Sequence, residues 1–425
     1  MNYNKCLKEM YSLRRFGIKL GLSTIKQILS EVNNPQEKFK AIHIAGTNGK
    51  GSVAAILANI LKLAGYKVGL YTSPHLIHFN ERIVIDGIPI DDEQVVSLYK
   101  TIKKVQKTDR ELTFFEYTTA MAFCAFAEHK VDWAIIETGM GGRLDATNVL
   151  LPKISIITTI GLEHQTYLGN TITKIAYEKA GIIKPECPVI TDVRIKRALE
   201  IVKKKANEEC APLYILGKQM RIHRKKDGFS YIGLNFNWYK LHCALNGSHQ
   251  IRNAGMALCA YELITGTKAN WKIVREGLQT VKWPGRLEVI SQEPFVLIDG
   301  AHNTMAIKEL SEYLETILDG RHLKLVIGVL DDKPYEKMLK PILQQANSLI
   351  ISQPQIDRSL DPEILYNYAK EYVSDIRIIP SVSDAYFEAI KQAKPSDIIC
   401  ITGSLYVIGE IKAALNEKPT EIFLA

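Results

Sequence analysis

Gly46-Thr47-Asn48-Gly49-Lys50-Gly51-Ser52 follows the apolar run Ala41–Ala45 and leads into the helix-like stretch SVAAILANILKLAG, residues 52–65. A glycine-rich turn between strand and helix aims backbone N–H groups at an anion, a lysine inside it adds a point charge, and a following hydroxyl reaches Mg²⁺. With strand, lysine and helix in this order, the segment reads as a phosphate cradle rather than an ordinary glycine turn. Gly49, Lys50, Gly51 and Ser52 are its expected ligands. The spacing departs from a plain GxxxxGK[ST] loop, because Gly51 separates Lys50 from Ser52 and no glycine lies five residues before Gly49.

Outward from this loop, short β-rich runs alternate with amphipathic stretches, the pattern of parallel sheets covered by helices. Ala41–Ala45, Lys67–Ser73, Val131–Glu137, Ile154–Ile160 and Val189–Val193 read as buried strands, with helices over Val53–Ala64, Tyr117–Glu128 and Ile172–Ile183. Residues 213–243 read as meander strands at the margin. A second series has strands at Phe295–Asp299, Leu323–Val329, Ser348–Ser352, Ile376–Pro380 and Ile398–Thr402. Its helices are Thr304–Leu318, Pro362–Tyr372, Asp384–Ala393 and Leu405–Leu415. Trp283-Pro284-Gly285-Arg286 interrupts the periodicity between the two series. The expected architecture is α/β: an N-terminal P-loop ATP-binding domain over residues 1–285 and a smaller C-terminal Rossmann-like α/β domain over 286–425.

The 425 residues, 46% hydrophobic and 24% charged, exclude a disordered or collagenous chain and suffice for two or three cores. A net charge of +8 is compatible with small anionic ligands as well as nucleic acid. Seven dispersed cysteines form no CxxC pair, which argues against a zinc ribbon and for reduced thiols. A charged N-terminus and the lack of an apolar run near ~18 residues point to a cytoplasmic protein with no membrane association. No coiled-coil heptad is visible, so a monomer is expected.

A nucleotide site that does chemistry needs metal ligands at the carboxyl ends of strands neighbouring the loop. Glu137 ends one such run and His164 follows another, in Gly161-Leu162-Glu163-His164. Gly139-Met140-Gly141-Gly142 fails the GxGxxG pattern because position 144 is Leu, so hydride transfer is discounted.

GTNGKGS, YTSPHL (71–76), NER (80–82), ETGMGGRLDATN (137–148), GLEHQ (161–165), YEKAGIIK (177–184), WPGRLE (283–288), DGAHN (299–303) and TGSLY (402–406) recur in order. Together they resemble the folylpolyglutamate synthase/dihydrofolate synthase family of the Mur ligase superfamily. The resemblance spans nearly the whole chain. It implies a Mur-ligase-like fold and a Mg-ATP-dependent ligase. In such an enzyme a carboxylate is phosphorylated to an acyl phosphate that the amine of L-glutamate then attacks. The acceptor would be a folate or dihydropteroate.

Carried over motif by motif, Lys50 would hold phosphates, and Ser73, Glu137 and His164 would serve two Mg²⁺ ions. Lys179 falls where the family carries a carbamylated lysine. Asn253, Arg286 and Asp299 would meet the nucleotide, His302 would stand catalytically at the cleft, and Ser404 would receive a substrate carboxylate. Arg82 would pair a carboxylate, while Thr113, Phe114, Phe115, Glu116 and Asp145 would hold a pterin ring. Two alternatives remain. A Mur-type cell-wall amino-acid ligase is opposed by a phosphate loop that starts too early for a preceding nucleotide-sugar domain. A basic P-loop nucleic-acid-binding protein would use Lys203–Lys205 with Arg221, Arg224, Lys225 and Lys226, which read better as a solvated face.

Overall fold

The computed structural model describes residues 2–13, 17, 19–106 and 110–416. The outer ends of the two expected domains, residue 1 and residues 417–425, lie outside the described residues.

The first sheet is built from β1 (Lys40–Ala45), β2 (Val68–Tyr71), β3 (Ile83–Ile85), β4 (Ile88–Pro89), β5 (Trp133–Glu137), β6 (Ile154–Ile157), β7 (Val189–Thr191) and β8 (Leu213–Ile215). Their order is β4-β3-β2-β5-β1-β6-β7-β8. The six strands from β2 to β8 run parallel; β3 and β4 add an antiparallel edge. Both faces are covered, and the side chains show it: Ile135 packs into one core while its neighbours Ala134 and Ile136 pack into the other. Helices Lys50–Leu63 and Ser248–Thr265 cover the first face, and Phe114–Glu128 covers the second. Trp271–Thr280 crosses Lys50–Leu63 closely, because Gly277 lies where a Cβ would stand 2.6 Å from Ile60.

Beside this sheet, β9 (Arg221–Lys225), β10 (Gly228–Ile232) and β11 (Asn237–Leu241) form an antiparallel meander. The segment 213–243 is thus divided, since its first strand, β8, joins the large parallel sheet next to β7. Phe229, Tyr231, Trp238 and Leu241 turn the apolar face of the meander inward, while Arg221, Arg224 and Lys225 stay exposed. The loop between β10 and β11 is tied by one carboxylate. Glu262, fully buried, accepts from the Tyr231 hydroxyl at 2.5 Å and from the N–H groups of Leu234, Asn235 and Phe236 at 3.0, 3.0 and 2.9 Å.

The second sheet comprises β12 (Glu288–Gln292), β13 (Phe295–Ile298), β14 (Leu323–Ile327), β15 (Ser348–Ile351), β16 (Asp375–Ile378) and β17 (Ile398–Thr402), in the order β12-β13-β17-β14-β15-β16. All are parallel except β12. Helices Thr304–Leu318, Tyr335–Leu343 and Pro362–Ala369 pack on one face, Val382–Gln392 and Leu405–Leu415 on the other. Loops after β13, β14 and β17 face those after β1, β5 and β6 across a single cleft.

Several apolar runs outlast their strands. Lys67–Ser73 and Ile154–Ile160 are strands only over Val68–Tyr71 and Ile154–Ile157. Past β6 the chain leaves the ladder because Thr158 and Thr159 turn to the phosphate loop. The helix expected from Tyr117 begins at Phe114, where Thr113 and Glu116 form a reciprocal capping box.

Glu262→Ala should destabilise the protein by about 2–4 kcal/mol in urea titrations, since it removes the shared acceptor of three loop amides and of the buried Tyr231 hydroxyl.

Candidate active site

The phosphate loop is suspended from the strand beside it. Thr47 N–H donates to the Thr159 carbonyl at 2.7 Å, Asn48 N–H donates to Thr159 Oγ1 at 3.2 Å, and Thr158 Oγ1 donates to the Asn48 carbonyl at 2.7 Å. Thr47 Oγ1 also accepts from Gly161 N–H at 3.0 Å. Gly49 then caps the helix Lys50–Leu63 with φ +88°, and a Cβ there would lie 2.6 Å from Asn253 Oδ1. Gly51, the residue that breaks the usual spacing, has a physical reason: Trp283 packs on it so closely that a Cβ would stand 2.6 Å from the indole. The first helical turn thus presents its amides beside Lys50, whose Nζ donates to the carbonyls of Gly46 and Thr47 at 3.2 and 3.3 Å.

Glu137, at the end of β5, is 4% exposed. One of its oxygens accepts Ser73 N–H at 3.2 Å, and the other stands 3.8 Å from Lys50 Nζ. Burial raises its carboxyl above the ordinary range against the opposing pull of Lys50. His164 sits in the left-handed region, φ +53°, after β6. Burial pushes its imidazole down to about 4, with Lys333, Lys179 and Lys50 adding to the shift against Glu163. A desolvated carboxylate that holds the Ser73 backbone, with an imidazole from the loop after β6, one strand beyond β1, is a donor set that fits Mg²⁺. Among the described residues no three His, Cys, Asp or Glu side chains converge on one point.

Of the residues expected in the ligase site from the sequence, Lys179 alone does not line the cavity; it is buried behind the phosphate loop, 3% exposed. Its Nζ donates to the Gly46 carbonyl at 2.7 Å, so two lysines share one acceptor. Burial, and then the Lys50 ammonium, push Lys179 down to about 7. The neutral amine is thus abundant at ordinary pH.

From the second lobe, Arg286, Asp299, His302 and Ser404 all line the cleft. Asp299 accepts from the N–H groups of Leu287 at 2.8 Å and Ala301 at 2.9 Å, fixing the loop that carries Arg286. Ser404 Oγ caps the helix Leu405–Leu415 by accepting Val407 N–H at 3.2 Å. His302 Nδ1 faces the Gly300 carbonyl at 2.8 Å, and its Nε2 lies 3.3 Å from Glu163. The two lobes also meet through a carboxamide pair: Asn303 Nδ2 donates to Asn48 Oδ1 at 2.8 Å, and Asn48 Nδ2 donates back to Asn303 Oδ1 at 3.2 Å. Glu163 and Asn303 lie inside the motifs GLEHQ and DGAHN, yet sequence reading passed over them for their histidine neighbours. A further pair escaped it: Arg252 forks onto Asp192 at the cavity wall.

At the far end, Thr113, Phe114, Phe115, Glu116, Asp145 and Arg82 come together. Phe115 packs over Gly139, where a Cβ would lie 2.5 Å from the ring. The two carboxylates expected to meet a pterin are already engaged. Glu116 accepts from Thr113 N–H, the Thr113 hydroxyl and both Arg110 amino groups, while Asp145 accepts from Met140 N–H, Thr147 N–H and the Thr147 hydroxyl. Their first duty here is to shape the wall. The lysines and arginines of the nucleic-acid alternative line no part of the cavity.

Gly49→Ala should weaken MgATP binding at least about tenfold by titration calorimetry, with circular dichroism unchanged, because φ and Asn253 both oppose the methyl. A pH-dependent effect should follow from Lys179. Its folded pKa of about 7 lies below the ordinary 10.5, so the unfolded chain binds more protons. The resulting cost is full below pH about 7 and fades as pH rises towards 10.5. In CO₂-free buffer, Lys179→Met should therefore raise Tm by several degrees at pH 7 and by much less at pH 10.

Residues 44–261 match the Mur ligase middle domain, and residues 285–405 match the Mur ligase glutamate ligase domain. The chain is 37% identical over 428 residues to the dihydrofolate synthase/folylpolyglutamate synthase of Bacillus subtilis, covering 97% of this chain and 99% of that one. It superposes on Escherichia coli FolC in complex with DHPP and ADP with a TM-score of 0.92, at 27% identity over 98% of both chains. The Yersinia pestis bifunctional folylpolyglutamate synthase/dihydrofolate synthase complexed with AMPPNP and Mn ion gives a TM-score of 0.89, at 27% identity over 98% of both chains. With this identity over nearly its whole length, the chain belongs to the folylpolyglutamate synthase/dihydrofolate synthase family of Mur ligases.

Proposed function

We propose that the protein joins L-glutamate to a folate, or to dihydropteroate, at the expense of ATP. The observation that carries this reading is the continuity of one cavity of about 640 Å³ from the phosphate loop past Glu137 to Arg82 and Phe114, with the second lobe closing its other side. An oxygen of the acceptor carboxylate attacks the γ-phosphorus, and ADP leaves. The deprotonated amine of glutamate then attacks the acyl carbon, phosphate leaves, and an amide remains.

The chain's own part is to neutralise and align. Bringing a carboxylate to a triphosphate sets like charges together, so the barrier falls mainly through fixed positive groups and N–H donors. The amides of Gly49–Ser52 and the Lys50 ammonium would hold the β- and γ-phosphates. Asn253 and Arg286 would hold the nucleoside end, with Asp299 steadying the arginine loop. Ser73, Glu137 and His164 would ligate Mg²⁺, which when bound screens the phosphate oxygens. His302 and Ser404 stand on the side from which glutamate approaches.

Lys179 would act as its carbamate: the neutral amine takes up CO₂, releases a proton, and becomes an anion facing the metal side of the loop. The low ammonium pKa supports this, because only the free amine reacts. The described residues hold no helix long and apolar enough to cross a membrane. Seven unpaired thiols suit a reducing compartment, and we place the reaction in the cytoplasm.

The test is a product assay with ATP, Mg²⁺ and labelled glutamate, offering dihydropteroate and a reduced folate in separate reactions. Label in either product supports the reading and identifies the branch; label in neither, with turnover of a nucleotide-linked muropeptide, replaces it by the cell-wall alternative. Lys50→Ala and Glu137→Ala should each lower kcat by about a thousandfold or more without unfolding, and near-wild-type rates in both would remove them from the site. ¹³C-bicarbonate should give a carbamate resonance in the wild type that Lys179→Ala lacks.

A further inference from the structure

Arg82 ends the short turn Phe79–Arg82 and is 4% exposed, although it carries a permanent charge. Three other arginines near the cleft, Arg110, Arg143 and Arg252, are more exposed and each pairs with a carboxylate: Glu116, Glu178 and Asp192 respectively. Among the described residues no carboxylate lies within ion-pair distance of Arg82, and Glu137 feels it only as a field across the cavity. A desolvated guanidinium left in this way is stable only if an anion completes it.

The environment of Arg82 fixes how that anion must approach. Its Nε donates to His75 Nδ1 at 2.8 Å. Arginine only donates, so Nδ1 accepts, and the imidazole carries its proton on Nε2, which faces the Tyr11 hydroxyl at 3.4 Å. The guanidinium carbon sits 5.2 Å over the Phe114 ring, which Tyr11 stacks at 5.4 Å and Phe79 meets edge-on at 6.3 Å. The loop between His75 and Arg82 is closed by Glu81, which accepts the N–H groups of Leu76, Ile77 and His78 at 2.7, 3.0 and 2.9 Å. Both ends of that loop are thereby brought together. With Nε consumed, only the two terminal amino groups remain for a ligand, so a carboxylate must dock end-on across them.

We infer that His75 is the positioning residue for Arg82: by accepting its Nε–H inside an aromatic box, it holds the guanidinium so that the terminal amino pair receives a carboxylate of the acceptor substrate. The inference rests on the proposed ligase reading and deepens it, since it assigns to His75 a share of the acceptor's affinity and none of the nucleotide's. Neither of the other arginine nitrogens has a comparable tether among the described residues, so loss of His75 frees the fork to rotate.

The test uses the purified full chain and reads KM for acceptor and for ATP separately, together with kcat and thermal melting. His75→Leu and His75→Phe remove the acceptor atom; His75→Asn keeps one at the Nδ1 position. The first two should raise the acceptor KM about 10- to 100-fold and leave the ATP KM within about twofold, while His75→Asn should recover most of the lost affinity. In an Arg82→Lys background, which has no Nε–H to hold, His75→Leu should add less than about twofold. The inference is overturned if ATP and acceptor KM rise in parallel, if His75→Asn is no better than His75→Leu, or if the Leu effect adds undiminished to Arg82→Lys. It is equally overturned if both Leu and Phe variants fail to fold while Asn folds, which would make His75 a packing residue. A wild type inactive on both acceptors would sink the ligase reading itself; an active wild type with an unmoved acceptor KM in His75→Leu sinks only the role of His75.

Discussion

Everything in the cleft depends on the hydrogen bonds that tie Thr47 and Asn48 to the two threonines after β6. A glycine loop that faces an anion has its amides turned away from its own fold, so it must be held from behind by something else. Thr158 and Thr159 do this with hydroxyl and carbonyl groups together, and Lys179 adds a bond to the Gly46 carbonyl from the interior. Because Glu163 and His164 follow those threonines in the same loop after β6, one short segment both holds the glycine-rich loop and brings His164 to the cavity.

The site is assembled from strand ends because parallel strands deliver their carboxyl termini to one edge. β5 brings Glu137, β1 the loop, and β6 the histidine, while β2 ends just short of Ser73. The second sheet repeats the arrangement with β13, β14 and β17. Each lobe would have an unfinished crevice by itself. Facing each other, they enclose one cavity of about 640 Å³.

Much of this was legible in the chain. The phosphate loop stood out because its glycines and lysine sit between a strand and a helix, and both α/β series were visible in their alternation of apolar runs. Residues in contact over long separations were the harder part. Nothing local marks Asn48 as the partner of Asn303, 255 residues away, or Trp283 as the reason for Gly51. Within Asn80-Glu81-Arg82 a motif reads as one unit, yet Glu81 closes a loop on three amides, Asn80 ties down the Ile90 carbonyl, and only Arg82 faces the cavity. Thr113 and Glu116 carried a local signal that was overlooked: the T-x-x-E spacing is a helix start, and their mutual bonds use much of the capacity assigned to a ligand.

The bridge between Asn48 and Asn303 joins two neutral carboxamides, one of them within the glycine-rich loop itself. Had the joint been an ion pair, incoming phosphates would have competed for its cation, and dissolved ions would have loosened it by shielding. Two carboxamides are largely immune to both effects. This contact between the lobes therefore keeps its strength whether the fluid around it is dilute or briny, unlike the contacts of Glu163 with His302 and of Glu309 with Arg194 that also cross between them.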